Sequence, residues 1–165
     1  MPNWAEGTLK IRGTQENVIN CLKEYVTGNV YPIFEKNEEG NAILKQGQHE
    51  VSIKRDEWEF SMSCKDGFYI KNTRRAFIES TEIQFYLENE IGNVEITGFK
   101  QAWSVEPSGF LEMSKKHQLD IKIFAFERGM EFTQEIEIIK GEITKDLGKE
   151  YEDYFWSVPF ASIGG

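Results

Sequence analysis

The residue types that carry nucleophilic and metal chemistry are scarce in this chain. Cys21, Cys64, His49 and His117 are its only cysteines and histidines. A catalytic serine or cysteine needs a nearby base, usually histidine, and no motif places either histidine beside a nucleophile. The four residues lack the short spacings of zinc ligands, and no glycine-rich nucleotide-binding pattern occurs. We therefore predict no catalytic residue, no metal, no cofactor and no enzymatic activity.

One short segment concentrates positive charge next to aromatic residues. Lys71, Arg74 and Arg75 stand within the run KNTRR, with Phe68 and Tyr69 before it and Phe77 after it. Guanidinium groups bind phosphate or carboxylate through paired hydrogen bonds, and aromatic rings on an open sheet stack on nucleobases. The alternative is cross-strand ion pairing with the many glutamates. The segment is a candidate nucleic-acid site, to be weighed against that ordinary structural role.

Four aromatic residues are further candidates for contact with a partner. Trp4 follows Asn3 at the chain start, Trp103 stands at a predicted corner between a strand and a helix, and Tyr154 and Trp156 belong to an acidic, aromatic C-terminal segment. Each has a structural alternative. Trp4 pins the chain start to the fold, Trp103 plugs the core or forms a ligand wall, and the C-terminal aromatics cap an open end of the core. We expect Trp103 to be buried.

Composition limits the class of protein and the kind of partner. The chain has 165 residues, of which 39% are hydrophobic and 13% aromatic, so one folded domain without disulfides is expected. Its net charge of −9 argues against nonspecific attraction to nucleic acid or anionic lipid. The start lacks the pattern of a signal peptide, and no stretch is long and apolar enough for a membrane span. We therefore expect a cytoplasmic protein.

The segment 97–141 sets the predicted architecture. It consists of a strand, a helix and a β-hairpin in sequence. Ser104 is the expected N-cap of a helix over Val105–His117, because its hydroxyl can accept from a first-turn amide. Alternating apolar and polar residues around Ile123 and Ile136 predict two antiparallel strands with one solvated side.

The chain start repeats the order of strand and helix. A strand around Leu9 stops at Gly13, and Thr14 is the expected N-cap of a helix over Thr14–Thr27. A further strand is expected near Phe99. Two strand–helix units predict an α+β fold, a ferredoxin-like split β-α-β sandwich with an antiparallel sheet and two main helices on one face.

The middle of the chain predicts an inserted β-meander. Short β-like runs, among them Phe68–Ile70 and Ala76–Ile78, are separated by turn signals, and no convincing helix occurs between them. We expect a single domain over 1–165, with the ferredoxin-like unit in 1–30 and 94–143, the β-rich insertion in 31–93 and a docked C-terminal tail in 144–165.

Three short motifs resemble one known family. The opening MPNW, the segment FKQAWS at Phe99–Ser104 and the hairpin FERGMEF at Phe126–Phe132 are similar to the MPNW start, the F-x-T-A-W-S-P-P segment and the Y-x-E-x-G-x-x-F hairpin of the YubB-type family of phage and plasmid proteins. The middle of the chain matches only loosely. The resemblance implies a ferredoxin-like domain encoded on mobile DNA, with no established catalytic residues.

Two functions are compatible with these observations. We favour a non-enzymatic interaction module of a phage or mobile element, which binds a basic host or element protein through its acidic surface. The alternative is a small nucleic-acid-binding module that uses the patch around Arg74 and Arg75. Neither function involves a membrane.

Overall fold

The protein is mostly β. The computed structural model describes residues 3–165, so Met1 and Pro2 of the MPNW opening lie outside the described residues. Strands make up 52% of the structure and helices 15%. The elements in chain order are β1 (Trp4–Thr14), α1 (Gln15–Tyr25), β2 (Val26–Gly28), β3 (Val30–Lys36), β4 (Ala42–Gln48), β5 (Ser52–Arg55), β6 (Glu59–Ser63), β7 (Phe68–Ile70), β8 (Ala76–Ile78), β9 (Glu82–Tyr86), β10 (Ile91–Ala102), α2 (Ser108–His117), β11 (Asp120–Glu127), β12 (Phe132–Ile139), β13 (Glu142–Glu150) and α3 (Tyr154–Ser157).

The main sheet has eight antiparallel strands in the order β13-β12-β11-β1-β10-β8-β7-β2. The first strand, β1, lies inside it, between β10 and β11. Leu9 stands opposite Ile96 on one side and Ile123 on the other, and all three side chains are buried. Because side chains alternate along each strand, one face of the sheet is apolar and the other is polar.

Helices α1 and α2 cover the apolar face. Thr14 is the N-cap of α1, as predicted, and its Oγ1 accepts a hydrogen bond from the backbone N–H of Asn17 at 3.2 Å. Leu22 of α1, with Phe110 and Met113 of α2, belongs to the same core as the strand residues. None of the helices within residues 3–165 combines the length and the apolar character needed to cross a membrane.

The middle of the chain supplies three kinds of strand. β2, β7 and β8 extend the main sheet, and β5, β6 and β9 form a separate three-stranded sheet. That smaller sheet lies beside α1, where Arg55 pairs with Glu16 and the Lys23 amine lies 6.0 Å from the centre of the Phe60 ring. The β3–β4 hairpin pairs only with itself among the described strands, and it exposes Phe34 and Leu44.

The C-terminal part adds an edge strand and then a covering segment. The region 144–165, predicted as a docked tail, begins inside the edge strand β13. From Tyr151 onward the chain crosses the polar face of the sheet, where Phe126, Tyr154 and Val158 form a second small core. The tail ends against β1, because the Gly165 N–H donates to the carbonyl of Trp4 at 2.9 Å.

The predicted ferredoxin-like α+β fold with two main helices is wrong. Both expected helices exist, but they are short, with 11 residues in α1 and 10 in α2. Strands from the predicted insertion and from β13 enlarge the main sheet to eight strands. Alternation along a strand can be read from a short segment, whereas pairing between distant strands cannot. The sequence pattern therefore underestimated the number of strands in the main sheet.

Ser104 does not cap a helix. The helix α2 begins further along, after Pro107, and has no side-chain cap. The first amides after the corner are instead bonded by glutamines from neighbouring strands. The N–H of Val105 donates to Oε1 of Gln134 at 2.8 Å, and the N–H of Glu106 donates to Oε1 of Gln101 at 3.0 Å. Two glutamine side chains, one of them 29 residues away in the chain, therefore bond these amides in place of the Ser104 hydroxyl that the sequence suggested.

Candidate functional site

The polar face of the main sheet is the candidate functional surface. It is the side opposite α1 and α2, and side chains such as Thr8 and Lys10 of β1 point towards it. Part of its charge is neutralised by exposed ion pairs between neighbouring strands, which contribute little to stability. These pairs are Lys10–Glu95 at 2.8 Å, Lys122–Glu137 at 3.1 Å and Lys145–Glu135 at 2.9 Å.

An apolar groove lies between this face and the C-terminal tail. It has a volume of about 640 Å³ and is lined by Phe124 and Phe126 of β11 and by Phe160 and Ile163 of the tail. Phe124 and Phe126 share a face because they are two residues apart in a strand. Their ring centres are 5.1 Å apart, and the Phe126 and Phe160 centres are 6.0 Å apart. Phe124 is 42% exposed and Phe160 59%, so the groove presents aromatic surface to solvent.

Gly7 shapes the floor of the apolar groove. A β-carbon at this position would collide with the carbonyl oxygen of Phe124. Glycine therefore allows β1 and β11 to approach each other, and it leaves no side chain at this point of the groove.

The rim of the apolar groove is rich in carboxylates. Glu6, Glu79 and Glu95 line it, together with one cation, Lys10. Glu95 pairs with Lys10, Glu79 pairs with Lys100, and one Glu6 oxygen accepts from the N–H of Gly164 at 3.3 Å. An aromatic groove with an acidic rim suits a ligand that is apolar and positively charged.

A second cavity, the cationic pocket, lies beside the groove on the same face. It has a volume of about 550 Å³, and its lining includes Trp4, Lys65, Arg75, Phe77 and Lys100. Phe77 of β8 stands directly opposite Lys100 of β10. The guanidinium carbon of Arg75 lies 5.5 Å from the centre of the Trp4 ring, and the Lys100 amine lies 5.1 Å from it. The sheet thus gathers Trp4 and Arg75, two of the predicted contact residues, into one cation–π cluster.

The other residues of the predicted basic patch lie elsewhere. Lys71 is exposed and does not line the cationic pocket. Arg74 donates to the backbone carbonyls of Ala102 and Ser104, both at 3.3 Å, so its guanidinium is held against the protein. Of the two arginines that the sequence proposed as a pair, the pocket contains one.

Trp103 is not a core plug, and that prediction is wrong. Its side chain is 55% exposed, and its backbone has a φ of 71°, in the left-handed region. The expected alternation ends where the chain turns out of β10, and the turn carries the indole outward. Backbone strain of this kind persists only where surrounding contacts fix it, and here Arg74 supplies them.

The two C-terminal candidates occupy opposite environments. Tyr154 is 1% exposed and packs in the small core on the polar face. Burial, and then the charge of Glu127, raises the pKa of the Tyr154 hydroxyl. Trp156 is 88% exposed. Of the two aromatics, Trp156 is the one that remains available to a partner.

Sequence reasoning missed the residues that form the groove, and it missed Lys100 of the cation–π cluster. Phe124 falls at a polar-face position of its strand, between Asp120 and Lys122 on one side and Phe126 on the other. An aromatic residue at such a position was the available signal. Lys100 carried no signal, because only the pairing of β10 with β1 and β8 brings it to Trp4.

In the described part of the chain, neither the groove nor the cationic pocket is lined by a histidine or cysteine, and both histidines have carboxylate partners. His49 bonds to Asp66 at 2.7 Å and His117 to Glu24 at 3.0 Å. Cys21 and Cys64 are buried free thiols, and burial raises the pKa of Cys21 to about 12. Within residues 3–165, no three His, Cys, Asp or Glu side chains are grouped to hold a metal ion.

Comparison with protein-family models, curated proteins and solved structures gives no match to the chain. The resemblance to the YubB-type family therefore stays a prediction, and the polar face is the feature of the molecule that bears on function.

Proposed function

We propose that this protein is a non-enzymatic interaction module whose apolar groove holds a basic segment of a partner protein. The observation that supports the proposal is the combination of exposed aromatic rings and three rim carboxylates in one groove. An aliphatic or aromatic side chain of the partner packs on Phe124 and Phe160. A lysine or arginine next to it reaches the carboxylates of the rim.

The aromatic rings and the rim carboxylates make different contributions to binding. Each ~100 Å² of apolar surface removed from water contributes about 2.5 kcal/mol before the entropic cost of association is subtracted, so contact with the rings is the main favourable contribution. The carboxylates supply selectivity for positive charge over negative charge. The net charge of −9 extends this preference beyond the groove and speeds the encounter with a basic partner.

The proposal places the module in the cytoplasm of a bacterial host, as a product of a phage or other mobile element. Two observations support that setting. One is the resemblance of the MPNW and FKQAWS segments to the YubB-type family. The other is that both cysteines are free and buried, as is usual in a reducing compartment.

The test uses a labelled peptide that has the proposed chemistry. The peptide fluoresceinyl-Gly-Gly-Lys-Leu-Arg-Phe-Lys-amide, with the dye on its N-terminus, is titrated with the protein, and fluorescence anisotropy reports binding. Glu95→Gln and Phe124→Thr should each weaken binding about tenfold, which corresponds to about 1.4 kcal/mol. Glu137→Gln is the matched control, because Glu137 forms the same kind of cross-strand ion pair on the same face but does not line the groove.

Two control peptides separate the contributions. Replacing lysine and arginine by glutamate should abolish binding, and replacing leucine and phenylalanine by serine should weaken it strongly. Equal affinity for the basic and acidic peptides would contradict the proposal. So would equal losses in Glu95→Gln and Glu137→Gln, because binding would then follow overall charge and not the groove.

A further inference from the structure

We infer that the cationic pocket is a separate site for a nucleoside phosphate, either free or as one residue of a single-stranded nucleic acid. The ligand chemistry is a flat ring that packs on aromatic side chains and a phosphate that binds cations. The site differs from the groove in sign of charge, and the two cavities share only Glu79 among their lining residues.

The charge of the pocket is positive although the protein is acidic. Its two carboxylates already have partners, since Glu79 pairs with Lys100 and Asp66 bonds to His49. Lys65 and Arg75 line the same cavity and have no ion-pair partner within residues 3–165. With Glu79 paired to Lys100, the two cations Lys65 and Arg75 outnumber the remaining carboxylate, Asp66, and can bind a phosphate.

The aromatic part of the pocket offers surface for a flat ring. Trp4 and Phe77 are partly buried and meet edge to face, with ring centres 5.8 Å apart. Tyr69 lies behind Phe77, with a centre-to-centre distance of 5.5 Å. A base can stack on these rings or on the guanidinium plane of Arg75, and both modes occur in single-strand recognition.

Arg75 lines the pocket from a strained backbone conformation. Arg75 has a φ of 53° and Asn72, in the same turn, has a φ of 59°. Glycine adopts this conformation without steric cost, so an arginine here is unfavourable for the backbone. Because the arginine is retained at this unfavourable position, its side chain is the one we select for substitution in the test.

Asn29 adds an unused hydrogen-bond acceptor. Its side chain lines the pocket, and its amide nitrogen donates to the carbonyl of Asp66 at 2.6 Å. Its amide oxygen is buried and has no hydrogen-bond partner within residues 3–165. After a small side-chain displacement, that oxygen can accept from the exocyclic amine of a base, so adenine and cytosine fit better than uracil or thymine.

The experiment measures binding of AMP and of a fluorescein-labelled oligo-deoxyadenylate of about 12 nucleotides, within the site size of one small domain. Arg75→Gly is the main variant, because it removes the cation and relieves the strained backbone together. Lys71→Gln is the matched control, since Lys71 stands in the same segment but outside the pocket. Lys65→Gln is a second pocket variant, and Phe124→Thr tests independence from the groove.

We expect binding to weaken about tenfold in Arg75→Gly and in Lys65→Gln. Binding should be unchanged in Lys71→Gln and in Phe124→Thr. Affinity should fall as salt rises, because phosphate contacts release counterions. Binding of AMP identifies a free nucleotide as sufficient, and binding of the oligonucleotide alone identifies a strand. Thermal unfolding of Arg75→Gly should occur at or above the wild-type temperature, so lost binding is not lost folding.

Three results would overturn the inference. The first is absence of binding for both probes at millimolar protein or ligand. The second is wild-type affinity in Arg75→Gly and Lys65→Gln. The third is displacement of AMP by equimolar inorganic pyrophosphate, which would show that charge alone is recognised. None of these results bears on the basic peptide, because that peptide binds in the groove.

Discussion

Arg74 donates hydrogen bonds to both the backbone carbonyl and the hydroxyl oxygen of Ser104, at 3.3 and 3.2 Å. The same guanidinium nitrogen reaches the carbonyl of Ala102 at 3.3 Å, so Arg74 holds the chain on both sides of Trp103. The buried amide of Gln101 donates back to the Arg74 carbonyl at 3.0 Å. Arg74 is thus a clamp for the corner after β10, and its neighbour Arg75 is the arginine that faces the cationic pocket.

Removing this clamp should destabilise the fold. Hydrogen bonds to a charged group contribute about 1.5–3 kcal/mol, so Arg74→Ala should lower the free energy of unfolding by roughly that amount. Arg74→Lys should recover little of it, because an ammonium lacks the planar fork. Urea denaturation followed by tryptophan fluorescence measures the change. Lys71→Ala is the control and should change the value by less than about 0.5 kcal/mol. Equal effects of the two alanine variants would contradict the clamp.

The effect of substitutions at Trp103 on stability should depend on its left-handed backbone conformation and not on burial of its ring. Truncation of a buried tryptophan costs about 3–5 kcal/mol, whereas Trp103→Ala should cost less than about 1 kcal/mol because the ring is largely exposed. Trp103→Gly should be more stable than Trp103→Ala by about 1 kcal/mol, since glycine adopts the left-handed conformation freely. The order is the reverse of that in ordinary strands. An alanine variant more stable than the glycine variant would show that the left-handed backbone carries no strain.

The sequence predicted local elements well and their assembly poorly. The runs Phe68–Ile70 and Ala76–Ile78 were predicted with the boundaries that the structure has, because alternation and turn residues are local signals. β13 was missed because all its residues are exposed, so it has no apolar alternation. The predicted fold class was wrong because the order in which strands pair cannot be read from local sequence patterns.

The same limit applies to the candidate site. Trp4 and Arg75 were each predicted from residue type alone. They come together because β1 and β8 both pair with β10, which no single segment of sequence reveals. The groove depends further on the C-terminal tail, whose contact with β11 joins residues distant in the chain. Individual contact residues could therefore be predicted from their type, but the way they assemble into a groove and a pocket could not.

Tyr154 and Trp156 offer a matched pair of substitutions. Tyr154→Ala should lower the free energy of unfolding by about 3–5 kcal/mol, because it empties the small core on the polar face. Trp156→Ala should change it by less than about 0.5 kcal/mol. Tyr154→Phe should be neutral or slightly stabilising, since the buried hydroxyl has no hydrogen-bond partner within residues 3–165. Thermal or urea unfolding measures all three. A strongly destabilised Tyr154→Phe would reveal a partner for the hydroxyl.

Stability should fall as the solution becomes alkaline. Burial, and then the charge of Glu24, raises the pKa of Cys21 from 9.0 to about 12. Burial, and then the hydrogen bond to Glu112, raises the pKa of Tyr25 from 10.0 to about 12. Between about pH 9 and 12 the unfolded chain has therefore lost protons that the folded chain retains, so the free energy of unfolding decreases with rising pH. Urea denaturation at several values in this window should show a smaller decrease for the double variant Cys21→Ala/Tyr25→Phe than for the wild type. Parallel curves would mean that neither group is protected from ionisation by the fold.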